Sequence, residues 1–91
     1  MDYRAFVRTI VLSLVTRADA VEVTSSTDKS GVIRVLITVA DEDTGRVIGR
    51  RGATINAIRQ LARVASVKGG DVVEVDLAEA SSARAPRADN D

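Results

Sequence analysis

The chain has 91 residues, of which 45% are apolar, and its 13 basic side chains balance its 13 acidic ones. This composition is typical of one globular domain of modest stability. The lack of cysteine and histidine excludes a disulfide framework and a thiolate zinc site, disfavours an enzyme and favours a cytoplasmic location.

The first predicted element is an amphipathic helix that begins at Tyr3 after the capping residue Asp2 and ends near Thr16 or Arg17. Its apolar residues recur every three or four positions and form one stripe: Tyr3, Phe6, Val7, Ile10, Val11, Leu14 and Val15. We expect this stripe, which holds the two aromatic side chains of the chain, to face the core.

Two strands joined by a polar turn predict an antiparallel hairpin. The first strand covers Val21 to Thr24, the turn covers Ser25 to Gly31, and the second strand covers Val32 to Val39. Alternation places one apolar set of the second strand on the inner face: Ile33, Val35, Ile37 and Val39.

Two helices are predicted on either side of a glycine-containing stretch. Asp41 is the expected N-cap of a short helix that ends at about Val47 or Ile48. A longer helix covers Ala53 to Val67 and ends before two glycines. The core side of this helix is expected to hold Ile55, Ile58, Leu61, Ala62 and Ala65.

A third strand, from Asp71 to Leu77, completes the predicted domain, with Val73, Val75 and Leu77 turned inward. Residues 78–91 show no periodicity and are expected to form a disordered tail. The element order α-β-β-α-α-β therefore predicts an α+β domain over residues 1–77, in which helices pack on one face of a three-stranded sheet.

The charges are unevenly distributed along the chain. Residues 44–70 carry six basic side chains and no acidic one, namely Arg46, Arg50, Arg51, Arg59, Arg63 and Lys68. Acidic side chains outnumber basic ones on both sides of this block, by seven to five before it and by six to two after it. Such a cationic block favours an anionic partner over a merely solvated surface.

The segment Gly49-Arg50-Arg51-Gly52 is the strongest candidate for an anion site. Its glycines allow a ligand to approach the backbone, and a helix begins directly after it, with free N–H groups facing the loop. Arg50 and Arg51 add two cations there. Val47, Ile48 and Ile55 either line a base-binding groove beside the loop or belong to the core. Arg46, Arg59 and Arg63 suit phosphate contacts and simple solvation equally well.

The stretch "VIGRRGATINAIRQL" resembles the KH signature, whose G-x-x-G loop clamps about four nucleotides of a single strand. The element order resembles a type II KH domain. Together with "DYRAFVRTIVLSLV", "VEVT" and "DTGRVIGRRG", it resembles the small bacterial KhpA family over roughly residues 2–77. The two arginines of the loop depart from the family, in which a lysine and a polar residue are common, and the tail exceeds the family's minimal length.

The resemblance implies an RNA-binding protein of low sequence selectivity that acts in the cytoplasm as an RNA chaperone or post-transcriptional regulator. It implies a homodimer, or a complex with a larger KH-containing protein similar to KhpB, and a link to cell elongation and shape in some bacteria. The implied RNA-binding residues are Gly49, Arg50, Arg51, Gly52, Arg46, Ile48, Val47, Ile55 and Arg59. No cofactor is implied.

Other interpretations remain open or are disfavoured. Single-stranded DNA could occupy the same loop, and a protein-interaction module with an idle loop would fit the off-stripe residues Leu12 and Val64. A metal site at Asp41 to Asp43 is disfavoured, because helix capping explains these acids more simply. The loop lacks the Gly-Lys-Ser/Thr ending of a nucleotide-binding P-loop, and no apolar run reaches the roughly 18 residues of a membrane span.

Overall fold

A computed structural model describes residues 2–78 of the protein. Six helices and strands follow one another: α1 (Tyr3–Leu12), β1 (Glu22–Thr27), β2 (Val32–Thr38), α2 (Thr44–Ile48), α3 (Ala53–Gly69) and β3 (Val72–Leu77). Single 3-10 turns lie at Ala18–Ala20, Asp41–Asp43 and Arg50–Gly52. The predicted α+β class and element order are confirmed. Residues 79–91, and with them nearly all of the predicted tail, lie outside the described residues.

The sheet has the strand order β1-β2-β3. β1 pairs antiparallel with β2, with Val23 opposite Ile37, and β2 pairs parallel with β3, with Val35 opposite Val75. The parallel pair requires a crossover between β2 and β3, and α2 and α3 supply it. The predicted hairpin is therefore confirmed, and β3 lies at an edge of the sheet.

The core lies between the sheet and the two long helices. Its fully or nearly fully buried apolar side chains come from every element and from Val39: Tyr3, Val7, Val11, Val23, Val35, Ile37, Val39, Val47, Ile55, Ile58, Ala62, Val73 and Val75. The Tyr3 hydroxyl donates to Asp71 Oδ2 at 2.6 Å, which ties the start of α1 to the turn before β3. Asp2 caps α1, as expected, because its Oδ1 accepts from the Ala5 N–H.

α1 is shorter than the apolar stripe predicts, since it ends at Leu12 rather than near Thr16 or Arg17. The Leu14 N–H donates to the Val11 carbonyl at 2.9 Å, a three-residue spacing that tightens the last turn and ends the helix. Leu14 and Val15 nevertheless pack half-buried against the core. The stripe therefore marks contact with the core and overestimates the length of the helix.

β1 runs three residues further than predicted, to Thr27. Ser25, Ser26 and Thr27 pair with β2 residues and so belong to the strand in spite of their turn-like composition. The turn is confined to the next four residues, where Asp28 Oδ1 accepts from the N–H groups of Ser30 and Val32.

One residue that was predicted on the core side of α3 does not lie there. Leu61 is 49% exposed, whereas Ser66 is buried and donates its hydroxyl to the Arg63 carbonyl at 2.8 Å. The other predicted core residues of this helix do face inward, and Gly70 ends the helix in the left-handed conformation. No helix within residues 2–78 is both long enough and apolar enough to cross a membrane.

Candidate nucleic-acid interface

The Gly49–Gly52 loop connects α2 to α3 through a backbone that needs glycine. Gly49 has φ 76° and ψ 176°, and a Cβ placed on it would lie 2.8 Å from the Thr54 backbone nitrogen and collide with the Thr54 side chain. Gly52, at φ 78°, is the residue before α3, and its N–H donates to the Gly49 carbonyl at 3.1 Å. The loop therefore lies tightly against the first turn of α3.

The two arginines of the loop point to solvent. Arg50 and Arg51 are exposed, and neither forms an ion pair with any of residues 2–78. Four other arginines in this part of the chain do form ion pairs, namely Arg17, Arg34, Arg46 and Arg59, whereas Arg4, Arg8 and Arg63, which lie outside the loop, do not. Arg51 adopts the left-handed conformation at φ 56°, which a non-glycine residue rarely does outside a constrained turn. No side chain caps the N-terminus of α3, so the loop and this helix end form one cationic surface.

A groove of about 420 Å³ lies between α2, the first turns of α3 and the end of β3. Its lining is largely aliphatic: Thr44, Ile48, Ile55, Arg59, Asp76, Leu77 and Ala78. Ile48 is 37% exposed there, and Ile55 contributes to the wall although it is nearly buried. The sequence left open whether Val47, Ile48 and Ile55 line the groove or belong to the core. Val47 is fully buried and therefore belongs to the core.

The guanidinium of Arg59 lies in the groove and is held by the edge strand. Its Nε donates to the Val75 carbonyl at 2.9 Å, and its Nη2 donates to Asp76 Oδ1 at 3.4 Å. Arg46, on α2, pairs instead with Asp43, at 3.6 Å from its Nε to Oδ1, while its own side chain stays largely exposed. Neither arginine is as free as Arg50 and Arg51. The strand partners of Arg59 are distant in sequence, so its position could not be predicted.

Asp43 anchors α2 in a way that the sequence did not reveal. Its side chain is fully buried, and it accepts hydrogen bonds from the Thr16 N–H and hydroxyl and from the Arg17 N–H at 2.9 to 3.0 Å. Burial alone would raise the pKa of Asp43, but these hydrogen bonds and the charge of Arg46 together lower it below its ordinary value. The short helix that leads into the loop is thereby fixed to the connection after α1.

The predicted capping role of Asp41 is wrong. Ala40 precedes the 3-10 turn that Asp41 begins, and the Asp41 side chain makes no capping hydrogen bond there. The acid of this turn that accepts from N–H groups is Asp43, and those groups belong to Thr16 and Arg17, 26 to 27 residues away. Within residues 2–78, no three acidic side chains come together as a metal ion would require.

Comparison with known proteins identifies the family of this chain. The sequence profile of the KhpA/KhpB KH domain matches residues 4–77. The chain belongs to the KhpA/KhpB KH-domain family. Within it, the chain is 39% identical over 71 residues to "RNA-binding protein KhpA" of Caldanaerobacter subterraneus subsp. tengcongensis, a match that covers 78% of this chain and 93% of that protein. It is 38% identical over 74 residues to "RNA-binding protein KhpA" of Clostridium acetobutylicum, covering 81% of this chain and 97% of that one.

A solved structure shares the fold of this KhpA/KhpB member at a greater distance. A crystal structure of an Era variant from Aquifex aeolicus, bound to GDP and aluminium fluoride, superposes with a TM-score of 0.57 at 21% identity. The superposition covers 82% of this chain but only 29% of the Era chain. At this identity the likeness concerns the fold alone.

Proposed function

We propose that this protein binds single-stranded RNA with low sequence selectivity, and that the Gly49–Gly52 loop holds the phosphate backbone. In this proposal the protein acts in the cytoplasm as an RNA chaperone or post-transcriptional regulator. The names of the two relatives described above and the KH-domain family support RNA as the ligand. The observation that carries the role of the loop is that two exposed arginines, without an ionic partner among residues 2–78, adjoin the uncapped start of α3.

The electrostatic part of the argument concerns what the free arginines can do. An arginine already paired with a carboxylate has to exchange partners before it binds a phosphate, whereas Arg50 and Arg51 do not within the described chain. Gly52 leaves the backbone beside them open, because the nearest atom to a Cβ placed there would be Asn56 Nδ2 at 3.9 Å. A phosphate that approaches the loop therefore meets two guanidinium groups and the positive end of α3.

The groove supplies the place for the bases. Ile48 and Ile55 give the groove an aliphatic lining beside the loop, and the end of β3 completes this lining. Unpaired bases can lie against such a lining while their phosphates face the loop. The groove lacks an aromatic side chain for strong stacking, so we expect micromolar or weaker binding at each site.

Fluorescence anisotropy with a labelled single-stranded RNA tests the proposal. Arg50→Asp/Arg51→Asp is expected to weaken binding about tenfold or more, and wild-type binding is expected to fall steeply with salt. The matched control is Arg4→Asp/Arg8→Asp, which changes the net charge equally on two exposed positions of α1. Circular dichroism establishes that each variant folds. Equal losses in both variants, or no loss in either, would overturn the role of the loop.

Competition with a DNA strand of the same sequence separates RNA from single-stranded DNA. RNA binding that involves the 2′-hydroxyl is expected to resist DNA competitor, because DNA lacks that donor and acceptor. If DNA competes equally well, the loop binds single strands of either kind, and the restriction to RNA is wrong.

Self-association is the second part of the proposal. Leu61, Val64 and Val67 are 49%, 68% and 71% exposed and lie on one side of α3. Pairing of two such strips would remove them from water and present two loops to one RNA strand, which raises the apparent affinity. Sedimentation analysis of the wild type and of Val64→Glu tests this: the wild type should dimerise and the variant should not. If the wild type stays monomeric at all concentrations, the strip does not mediate self-association. A larger KH-containing protein is then the expected partner of the strip.

A further inference from the structure

We propose that Asp76, beside Arg59, makes the groove prefer bases that carry an exocyclic amino group, and cytosine over uracil in particular. This inference rests on the proposed function, because it concerns the bases of the strand whose phosphates the loop binds. It assigns a modest preference to one position of an otherwise unselective site.

Asp76 is the acidic residue among those that line the groove. It lines the groove at the end of β3, together with Ile48 and Ile55, and its side chain is 61% exposed. It also lines two smaller depressions, one beside Arg63 and one on the open face of the sheet beside Leu36. The side chain is therefore exposed at the edge of the sheet, between the groove and the open face, and is not enclosed in the core.

Arg59 lies beside this carboxylate. Its guanidinium is itself held at two further points, by the Val75 carbonyl at 2.9 Å and by Asn56 Oδ1 at 3.3 Å. Its contact with Asp76, at 3.4 Å, involves Oδ1. Among residues 2–78, Oδ2 has no hydrogen-bond or ionic partner. A charged donor and a charged acceptor thus lie side by side on a supported frame, with one acceptor oxygen open to a ligand.

An acidic group is unexpected in a groove that serves a polyanion, since it repels phosphate. Its chemistry suits a base instead, because an ionised carboxylate only accepts hydrogen bonds. Cytosine offers it the N4 amino group, next to an N3 acceptor that a guanidinium N–H can satisfy. Uracil carries a carbonyl oxygen in place of that amino group and would face the carboxylate with a second acceptor. The donor–acceptor pair therefore distinguishes two rings of nearly equal size and shape.

The experiment compares labelled oligo(C) and oligo(U) RNA of equal length in anisotropy titrations at one salt concentration and neutral pH. The wild type is expected to bind oligo(C) about fivefold more tightly than oligo(U), which corresponds to the net contribution of one ordinary hydrogen bond. Asp76→Ala should reduce this ratio to about one. The variant should also bind oligo(U) at least as tightly as the wild type, because it loses a charge that repels phosphate.

Glu74→Gln is the matched control. Glu74 lies two residues earlier on the same strand, is exposed, and pairs with Arg34 outside the groove. Its substitution removes one negative charge but should preserve the preference for cytosine. A loss of the preference in Glu74→Gln as well would mean that net charge, and not Asp76, sets the ratio.

The outcomes separate this inference from the proposed function. Equal wild-type affinities for both RNAs, or an unchanged ratio in Asp76→Ala, would overturn base preference while RNA binding through the loop stands. If the wild type binds neither RNA, both proposals fail. If it binds both but Arg50→Asp/Arg51→Asp has no effect, the role of the loop fails and the preference is decided by the ratio alone.

Discussion

The two ends of α2 are built in opposite ways. At its start, Asp43 is fully buried, and the groups it accepts from lie in the distant connection after α1. At its end, the Gly49–Gly52 loop exposes two arginines that have no ionic partner in the described chain. A helix of five residues has little stability by itself. The anchored end and the buried Val47 hold it, and the other end remains open for a ligand.

The largest expected effect is the loss of the anchor. Asp43→Ala leaves the Thr16 and Arg17 N–H groups without their acceptor, and we expect the free energy of unfolding to fall by about 2 to 3 kcal/mol in urea denaturation. The control is Asp41→Ala, which removes an exposed carboxylate from the same turn and should cost less than about 0.5 kcal/mol. Similar losses in both variants would mean that Asp43 does not fix α2.

Two glycines at the two ends of α2 sharpen the comparison. Gly49→Ala places a Cβ against Thr54 in a conformation that is nearly restricted to glycine, and should cost about 2 kcal/mol of unfolding free energy and weaken RNA binding. Gly45→Ala lies within the helix, where a Cβ meets nothing within 4 Å.

The second substitution should therefore stabilise the protein by about 0.5 to 1 kcal/mol, since alanine favours helix more than glycine does. Thermal unfolding of the two variants measures the difference directly. A destabilised Gly45→Ala or a neutral Gly49→Ala would contradict the described loop geometry.

The smallest expected effect is a change in the pH dependence of stability. The pKa of Asp43 is lower in the folded protein, so the folded state binds its proton less readily than the unfolded chain. Its contribution is complete above the unfolded pKa, close to 4, and is lost as the pH falls towards the folded value. Unfolding curves of the wild type between pH 6 and 3 should decline more steeply below about pH 4 than those of Asp43→Asn. Parallel profiles would show that Asp43 titrates alike in both states.

Local patterns predicted the elements of this fold well. Alternation identified the inner faces of β2 and β3, and helical spacing identified most of the core side of α3. The errors arise where contacts between distant residues set the bounds of an element. The apolar stripe continues through Val15 although the helix ends at Leu12. Ser25 to Thr27 extend β1 because β2 pairs with them. Periodicity reports which residues meet the core, whatever conformation brings them there.

The candidate site was predictable only in part. The loop is a contiguous motif, so its glycines and arginines were visible in the sequence. The anchor at Asp43 and the strand contacts of Arg59 join residues separated by 16 to 27 positions, and no spacing rule connects them. The burial of Val47 beside an exposed Ile48 likewise depends on how α2 lies on the core.

The hydrogen bond from Arg59 to the Val75 carbonyl has a consequence for solubility. β3 is an edge strand, and edge strands with unpaired backbone groups can recruit strands from other molecules. The Arg59 guanidinium occupies one of the acceptors that such a strand would use and places a charge beside it. Removing Arg59 therefore exposes the sheet to edge-to-edge aggregation, a hazard that grows with protein concentration.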